Sequence, residues 1–206
     1  MAALCLCAHG QNTPIESKGM APRATPADYQ AHAQAGAITI AAEFTGHSIP
    51  TLQGPLSSED YIVVETGFFG PPDAKLKLSP EDFTLRVNGK KPLPSQPYGL
   101  VVGSVKDPEW EPPEPPAEKK SKTSMGGSGK GDKGDSNDPP APVKIPIGVL
   151  RAMAQRVQKG VLPEGERSLP QAGLIFFQYR GKTQGIRSIE LVYEGPAGKA
   201  TLTLQP

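Results

Sequence analysis

"LKLSPEDFTLRVNGKKPL" (residues 76–93) decides how this chain is read. Ser79-Pro80-Glu81-Asp82 opens a turn, because proline presets φ and the short polar side chains bond to nearby backbone. Phe83, Leu85 and Val87 then alternate with Thr84, Arg86 and Asn88, the period-two pattern of a strand with one buried face. Asn88-Gly89 tolerates positive φ at both positions and predicts a type I′ hairpin turn. Pro92, Pro94 and Pro97 on the return arm cannot donate to a ladder, so that arm is expected to be short or at an edge.

The flanks continue in the same short period. "GAITIAAEFTG" (36–46) sets Ile38, Ile40 and Phe44 on alternate sites, and "DYIVVETGFFG" (60–70) sets Tyr61, Val63 and Glu65 against Ile62, Val64, Thr66 and Phe68. "YGLVVGSV" (98–105) reads as a further strand. The period changes at "IGVLRAMAQRVQKG" (147–160), where Val149 or Leu150, Met153 and Val157 recur at helical spacing and Lys159-Gly160 is a stop signal. Strand chemistry returns in "RSLPQAGLIFFQYRGK" (167–182), "GIRSIELVYEG" (185–195) and "GKATLTLQ" (198–205). The sum is about seven strands and one short helix. The expected fold is mainly β, an immunoglobulin-like antiparallel β-sandwich.

Between these halves lies "KKSKTSMGGSGKGDKGDSNDPPAP" (119–142), Gly-, Ser- and charge-rich and without periodicity. About four strands precede it and about three follow, and sheets that small leave an apolar face uncovered. The stretch is therefore expected to be a disordered insertion, at about 106–145, within one domain of residues 36–206. Loop-closure entropy grows slowly enough with length to tolerate it. Residues 11–35 read as a disordered leader with a helical turn near Asp28-Tyr29, and residues 1–10 as an export-signal remnant.

That last reading rests on the apolar run Ala2 to Ala8 and on small residues at Ala8 and Gly10, before a cut ahead of Gln11. No basic stretch precedes it, which fits a start upstream of Met1 or a segment that is no signal. Leu4 and Leu6 fit a lipoprotein box poorly. The expected location is periplasmic or extracellular. Cys5 and Cys7 are too close together to staple a fold, and with His9 alone beside them they make a poor metal set. Lys+Arg 22 against Asp+Glu 21 gives a net charge of +1, little reason to expect nucleic acid or an anionic membrane as partner. No stretch approaches the ~20 apolar residues of a membrane span.

Three groups of residues carry a resemblance. They are Asp82, Phe83, Leu85 and Asn88 to Lys90; then Leu162, Pro163, Gly165, Gly173, Ile175 and Phe176; and finally Ile189, Leu191 and Tyr193. Together they resemble a family of bacterial exported proteins with a telokin-like, immunoglobulin-type sandwich. The resemblance implies the fold and brings no catalytic residue with it. Packing alone accounts for these positions, with Phe83, Leu85 and Phe176 as core anchors.

Catalytic chemistry finds little footing. Of the histidines only His47 is expected inside the fold, and the adjacent Ser48 would point to the opposite face. Glu59-Asp60 and Glu81-Asp82 are sequence neighbours rather than carboxylates facing each other across a cleft, and they lack the spacing of a calcium loop. In "GGSGKGDKGDS" Gly131 occupies the Ser/Thr position of a phosphate loop. No cofactor is expected. Trp110, a lone aromatic in "DPEWEPPEPP", is the candidate partner contact, or else folds back onto the sheet edge. The expected function is a non-catalytic exported interaction module with a protein partner in the cell envelope. The alternatives are a weakly recognisable hydrolase or metal-dependent enzyme, and a strand-addition subunit of a surface assembly.

Overall fold

The computed structural model describes residues 18–110 and 145–206. Residues 1–17, with Cys5, Cys7 and His9, and residues 111–144, the body of the expected insertion, lie outside the described part. The strands are β1 Ala31–Ala35, β2 Ile38–Gly46, β3 Ser48–Ile49, β4 Leu56–Ser58, β5 Tyr61–Phe69, β6 Lys75–Leu78, β7 Phe83–Val87, β8 Leu93–Gln96 and β9 Val105–Lys106. After the central gap come β10 Gly165–Ser168, β11 Gln171–Gln178, β12 Ile189–Gly195 and β13 Gly198–Leu204. Two helices, α1 Tyr98–Val101 and α2 Ile147–Gly160, complete the described elements with four 3₁₀ turns.

The expected class, mainly β and antiparallel, holds. The arrangement differs from a sandwich of about seven strands. Eight strands form one sheet in the order β1-β2-β5-β11-β8-β7-β12-β13. Its outer strands, β1 and β13, come to lie side by side, and the Gln30 Nε2 donates across to the Gln205 carbonyl at 3.0 Å. No ladder joins β1 to β13 among the described residues, so the sheet is a barrel that nearly closes. Two small sheets, β3-β4-β9 and β6-β10, account for the extra strands. They are two to four residues long, too short for alternation to register in sequence.

The hairpin of residues 76–93 forms as read. Asn88 and Gly89 take φ of 54° and 67°, and the Lys90 N–H donates to the Val87 carbonyl at 3.1 Å. β8 is short, and its residues Ser95 and Gln96 bridge the hairpin to β11. Strands from before and after residues 111–144 interleave in the sheet: β11 pairs with β5 and β8, and β12 with β7.

The barrel interior is filled by Ile40, Ile62, Val64, Phe68, Phe83, Leu85, Phe177, Leu191, Tyr193 and Leu202. Phe83 packs at a tilt of 47° against Tyr193 with ring centres 5.0 Å apart, and Phe68 meets Phe83 edge-on at 5.9 Å. A second cluster lies outside the barrel wall, where α2 covers β5 and β11. Met153 and Val157 are buried there with Val63, Leu174, Phe176, Val101 and Val105. Val149 packs against this cluster while Leu150 is exposed, which selects Val149 as the third helix position.

Three expectations are corrected. Phe176 belongs to the second cluster; Phe177 is the residue that joins Phe83, Leu85 and Leu191 inside the barrel. Both faces of β11 are buried, so its apolar run left the facing open. "YGLVVGSV" is not a strand but α1, a 3₁₀ turn and the start of β9, because Val101 and Val105, four apart, fill the cluster under α2. Residues 18–35 are ordered where a disordered leader was expected. They contain the 3₁₀ turn Pro26–Asp28, closed by a Thr25–Asp28 capping box, and then β1 paired with β2. β1 reads AHAQA, small and polar, and becomes a strand only because β2 and β13 flank it.

Candidate functional site

The segment from Gly19 to Tyr29 runs over the outer face of the barrel. The Met20 N–H donates to the Ala172 carbonyl at 2.9 Å, and Tyr29 is buried with its ring lying over Gly67. A Cβ on residue 67 would stand 2.7 Å from the Tyr29 ring, so only glycine admits this contact. Beneath the strap Glu43 and Glu65 face each other across β2 and β5. Arg23 resolves that pairing of like charges. Its Nε and Nη2 donate to the two oxygens of Glu65 at 3.2 and 3.0 Å, and it forms an ion pair with Glu43. The guanidinium also sits 4.5 Å above the Tyr29 ring. Burial works against its charge, but the bonds to Glu65 and Glu43 raise its pKa further above an already high value. Burial pushes the Tyr29 hydroxyl up.

Where the strap begins, it borders a hollow of about 290 Å³. Met20 and Ala21 form one wall, Pro50 and Leu52 of the β3–β4 loop another, and Lys159 and Gly160 at the end of α2 the third. Leu52 is 96% exposed and stands on the rim of this apolar hollow. The loop is held in place by Arg156 of α2. Its Nη2 donates to the carbonyls of Gln53 and Gly54 at 3.0 and 3.1 Å, and its Nε to the Thr51 hydroxyl at 3.4 Å. Its Nη1 donates to Asp107 at 2.7 Å. Arg156 is largely spent on these four bonds, whereas Lys159 on the rim has no carboxylate partner among the described residues. The arrangement presents an apolar knob beside an apolar hollow with one free positive charge.

Trp110 follows Asp107, the carboxylate partner of Arg156, by three residues. Its N–H donates to the Asp107 carbonyl at 3.1 Å, closing the turn whose carboxylate holds Arg156, and the residue is half-buried.

The other candidates fall elsewhere. Both ring nitrogens of His47 sit 2.9 Å from backbone carbonyls, those of Tyr61 and Gly181, so the imidazole clamps the loop after β11 onto β5. The Lys106 ammonium, 2.7 Å away, holds the Glu59 carboxyl below its ordinary value, and Asp60 pairs with Arg180 at 2.9 Å. Burial raises the Asp82 carboxyl, and Glu81 beside it adds to the effect. No group of three His, Cys, Asp or Glu side chains converges as a metal ion requires among the described residues. No helix among them is long and apolar enough to cross a membrane.

Sequence reasoning missed Leu52, Arg156 and Lys159. Leu52 in "PTLQG" resembles any loop leucine, and the partners of Arg156 are about a hundred residues upstream for the loop and 49 for Asp107. Searches against family models, curated proteins and solved structures return no match to this chain.

Proposed function

We propose that the protein is a non-catalytic exported binding module whose contact surface is the Leu52 hollow. The observation that carries this reading is the fixing of loop 51–54 by Arg156, which holds Leu52 fully exposed in a set position. A leucine anchored from behind and bare in front is pre-organised for contact, so little ordering entropy opposes association. The partner is a protein of the cell envelope that offers an apolar side chain to the hollow and a carboxylate to Lys159. Exposed apolar surface beside a lone cation favours that pairing. Trp110, on the turn tied to Arg156, would extend the contact. The family proposed is that of the bacterial exported proteins with telokin-like, immunoglobulin-type domains, on the strand segments around Phe83, Ile175 and Leu191.

Two alternatives are less favoured. Strand addition needs an open edge, yet β1 and β13 face each other. Catalysis through His47 needs a ring nitrogen open to substrate, and each nitrogen lies 2.9 Å from a backbone carbonyl.

A photo-crosslinking residue at position 52, used with native envelope extract, tests the proposal. A discrete adduct is expected that disappears when Lys159→Glu is added. Labelling no stronger than from a position on exposed β13, such as Thr203, would overturn it.

A further inference from the structure

Two stretches of the sequence carry no acidic residue, 83–106 and 167–189, and each holds four lysines or arginines. The fold brings their turns together at Asn88, beside the Val87–Ile189 pairing of β7 and β12. Asn88 Nδ2 donates to the Gly185 carbonyl at 2.9 Å, and its Oδ1 accepts from the N–H groups of Arg187 and Ser188 at 2.6 and 3.2 Å. The Asn88 N–H donates in turn to the Ser188 carbonyl at 2.9 Å. The turn carrying Lys90 and Lys91 is thereby fixed against the loop carrying Lys182 and Arg187.

Three of the four acids that border these stretches are paired: Asp107 with Arg156 at 2.7 Å, Glu166 with Lys75 at 4.0 Å and Glu190 with Arg86 at 3.8 Å. Within the second stretch Arg180 is itself paired, with Asp60 at 2.9 Å. Lys90, Lys91, Lys182 and Arg187 are exposed and have no carboxylate partner among the described residues. Like charges gathered this way repel one another at low ionic strength, and an anion relieves that repulsion. A nearly neutral chain thus concentrates positive charge at one end of its barrel, a feature that net charge conceals.

We propose that this end of the barrel binds an acidic polysaccharide, a linear chain with regularly spaced sulfate or carboxylate groups. The shallow hollow between Asn88, Gly185, Arg187 and Ser188 is open rather than enclosed. The backbone N–H groups that would cradle a single phosphate there are taken by Asn88 Oδ1. Long cationic side chains around an open hollow suit spaced charges instead. Neither turn exposes an aromatic ring on which a nucleic-acid base would stack. Ile186, the apolar residue of the loop, is buried and cannot enter a lipid surface. This site uses none of the residues of the Leu52 hollow, so either proposal can fail without the other.

The test measures binding of the full chain to heparin, with neutral dextran as control. Wild-type protein is expected to bind heparin alone, with affinity falling roughly 50- to 150-fold between 50 and 200 mM salt if four charges take part. Lys90→Gln/Lys91→Gln/Lys182→Gln/Arg187→Gln should weaken binding at least ~10-fold at the lower salt. Lys75→Gln/Lys77→Gln/Arg151→Gln/Lys199→Gln, with the same net charge, should leave it unchanged. If the first variant fails to fold, the Lys90/Lys91 and Lys182/Arg187 pairs are neutralised separately, each with a smaller loss expected. Equal weakening in patch and control variants would overturn the proposal, as would no heparin binding by wild type. So would tighter binding to single-stranded DNA or to phosphatidylglycerol vesicles.

Discussion

Arg156 on α2 and Asp107 after β9 meet at 2.7 Å, each side chain about one-sixth exposed at 17% and 16%. This ion pair joins the chain just before residues 111–144 to the helix that follows them. Arg156 also carries the β3–β4 loop, so removing it unties two segments and leaves Asp107 without its cation. Arg156→Ala is expected to cost about 2–4 kcal/mol, near the range for breaking a shielded pair. Arg156→Lys should recover part of that, because one ammonium nitrogen cannot span the positions that the three nitrogens of the planar guanidinium reach. Urea denaturation measures the cost. Amide exchange should quicken at residues 51–54 in both variants; unchanged exchange there would show that the loop holds itself.

Gly67 and Tyr29 give a second test. Gly67→Ala places a methyl 2.7 Å from the Tyr29 ring and 2.9 Å from Phe69, so the ring must leave. Arg23 then loses the aromatic face beneath it and the strap loosens. Trypsin should cleave after Arg23 much faster in this variant than in wild type, while the barrel still melts cooperatively. Equal cleavage rates would mean that the strap is held by Arg23 and Glu65 without Tyr29.

Phe176 and Phe177 are chain neighbours in separate cores. Each is fully buried, so either change to alanine should cost ~3–5 kcal/mol. The consequences differ by place. Phe176→Ala opens the cluster under α2 and should speed exchange in residues 147–160; Phe177→Ala should speed it in β7 and β12. Identical exchange patterns would show that the two clusters act as one core.

Asp82 supplies a pH dependence. Burial, then Glu81, raises its folded-state pKa above the ordinary value of 3.8, with Lys77 in partial opposition. The unfolded chain therefore releases this proton at lower pH than the folded one. Between the two values the folded state binds more protons, and stability falls as pH rises. The contribution is complete below the unfolded value and lost above the folded one. Asp82→Asn should remove it, leaving the variant more stable than wild type toward neutral pH and the gap smaller in acid. Urea midpoints of both proteins from about pH 3 to about pH 7 read this directly. A gap that widens in acid would have the wrong sign.

What could be read from sequence was local. Asn88-Gly89 declares its turn, and the alternation of Phe83, Leu85, Val87 and of Ile189, Leu191, Tyr193 declares two strands with one wet face. β11 kept its facing hidden because α2 covers its second side, and β1 kept its existence hidden because alanine and glutamine carry no strand signal. The candidate site was illegible for a related reason. Leu52, Arg156 and Lys159 have no motif, and their meaning comes from contacts about a hundred residues apart. The cationic end was hidden too, since the β7–β12 pairing and the Asn88 side chain bring together turns about a hundred residues apart.

The order of strands in the main sheet makes the last prediction. β11 lies between β5 and β8, and β12 lies between β7 and β13, so neither side of residues 111–144 owns a continuous sheet. Residues 18–110 alone would leave β5 and β8 without the strand that joins them. They would also expose Ile62, Val64, Phe68 and Phe83, which Phe177, Leu191 and Tyr193 now cover. Residues 145–206 alone would hold β12 and β13 as an isolated hairpin, which is marginal in water, and α2 with only β11 to cover. Each fragment, expressed separately, is therefore expected to show no cooperative melt and poorly dispersed amide spectra. Mixed, they should regain dispersion, because every missing partner is supplied by the other piece. Phe177→Ala in the second fragment should weaken that recovery, since it removes the interior anchor the two pieces share. A cooperative melt from either fragment alone would mean that one half folds by itself and that the alternating ladder is a docking of two finished units.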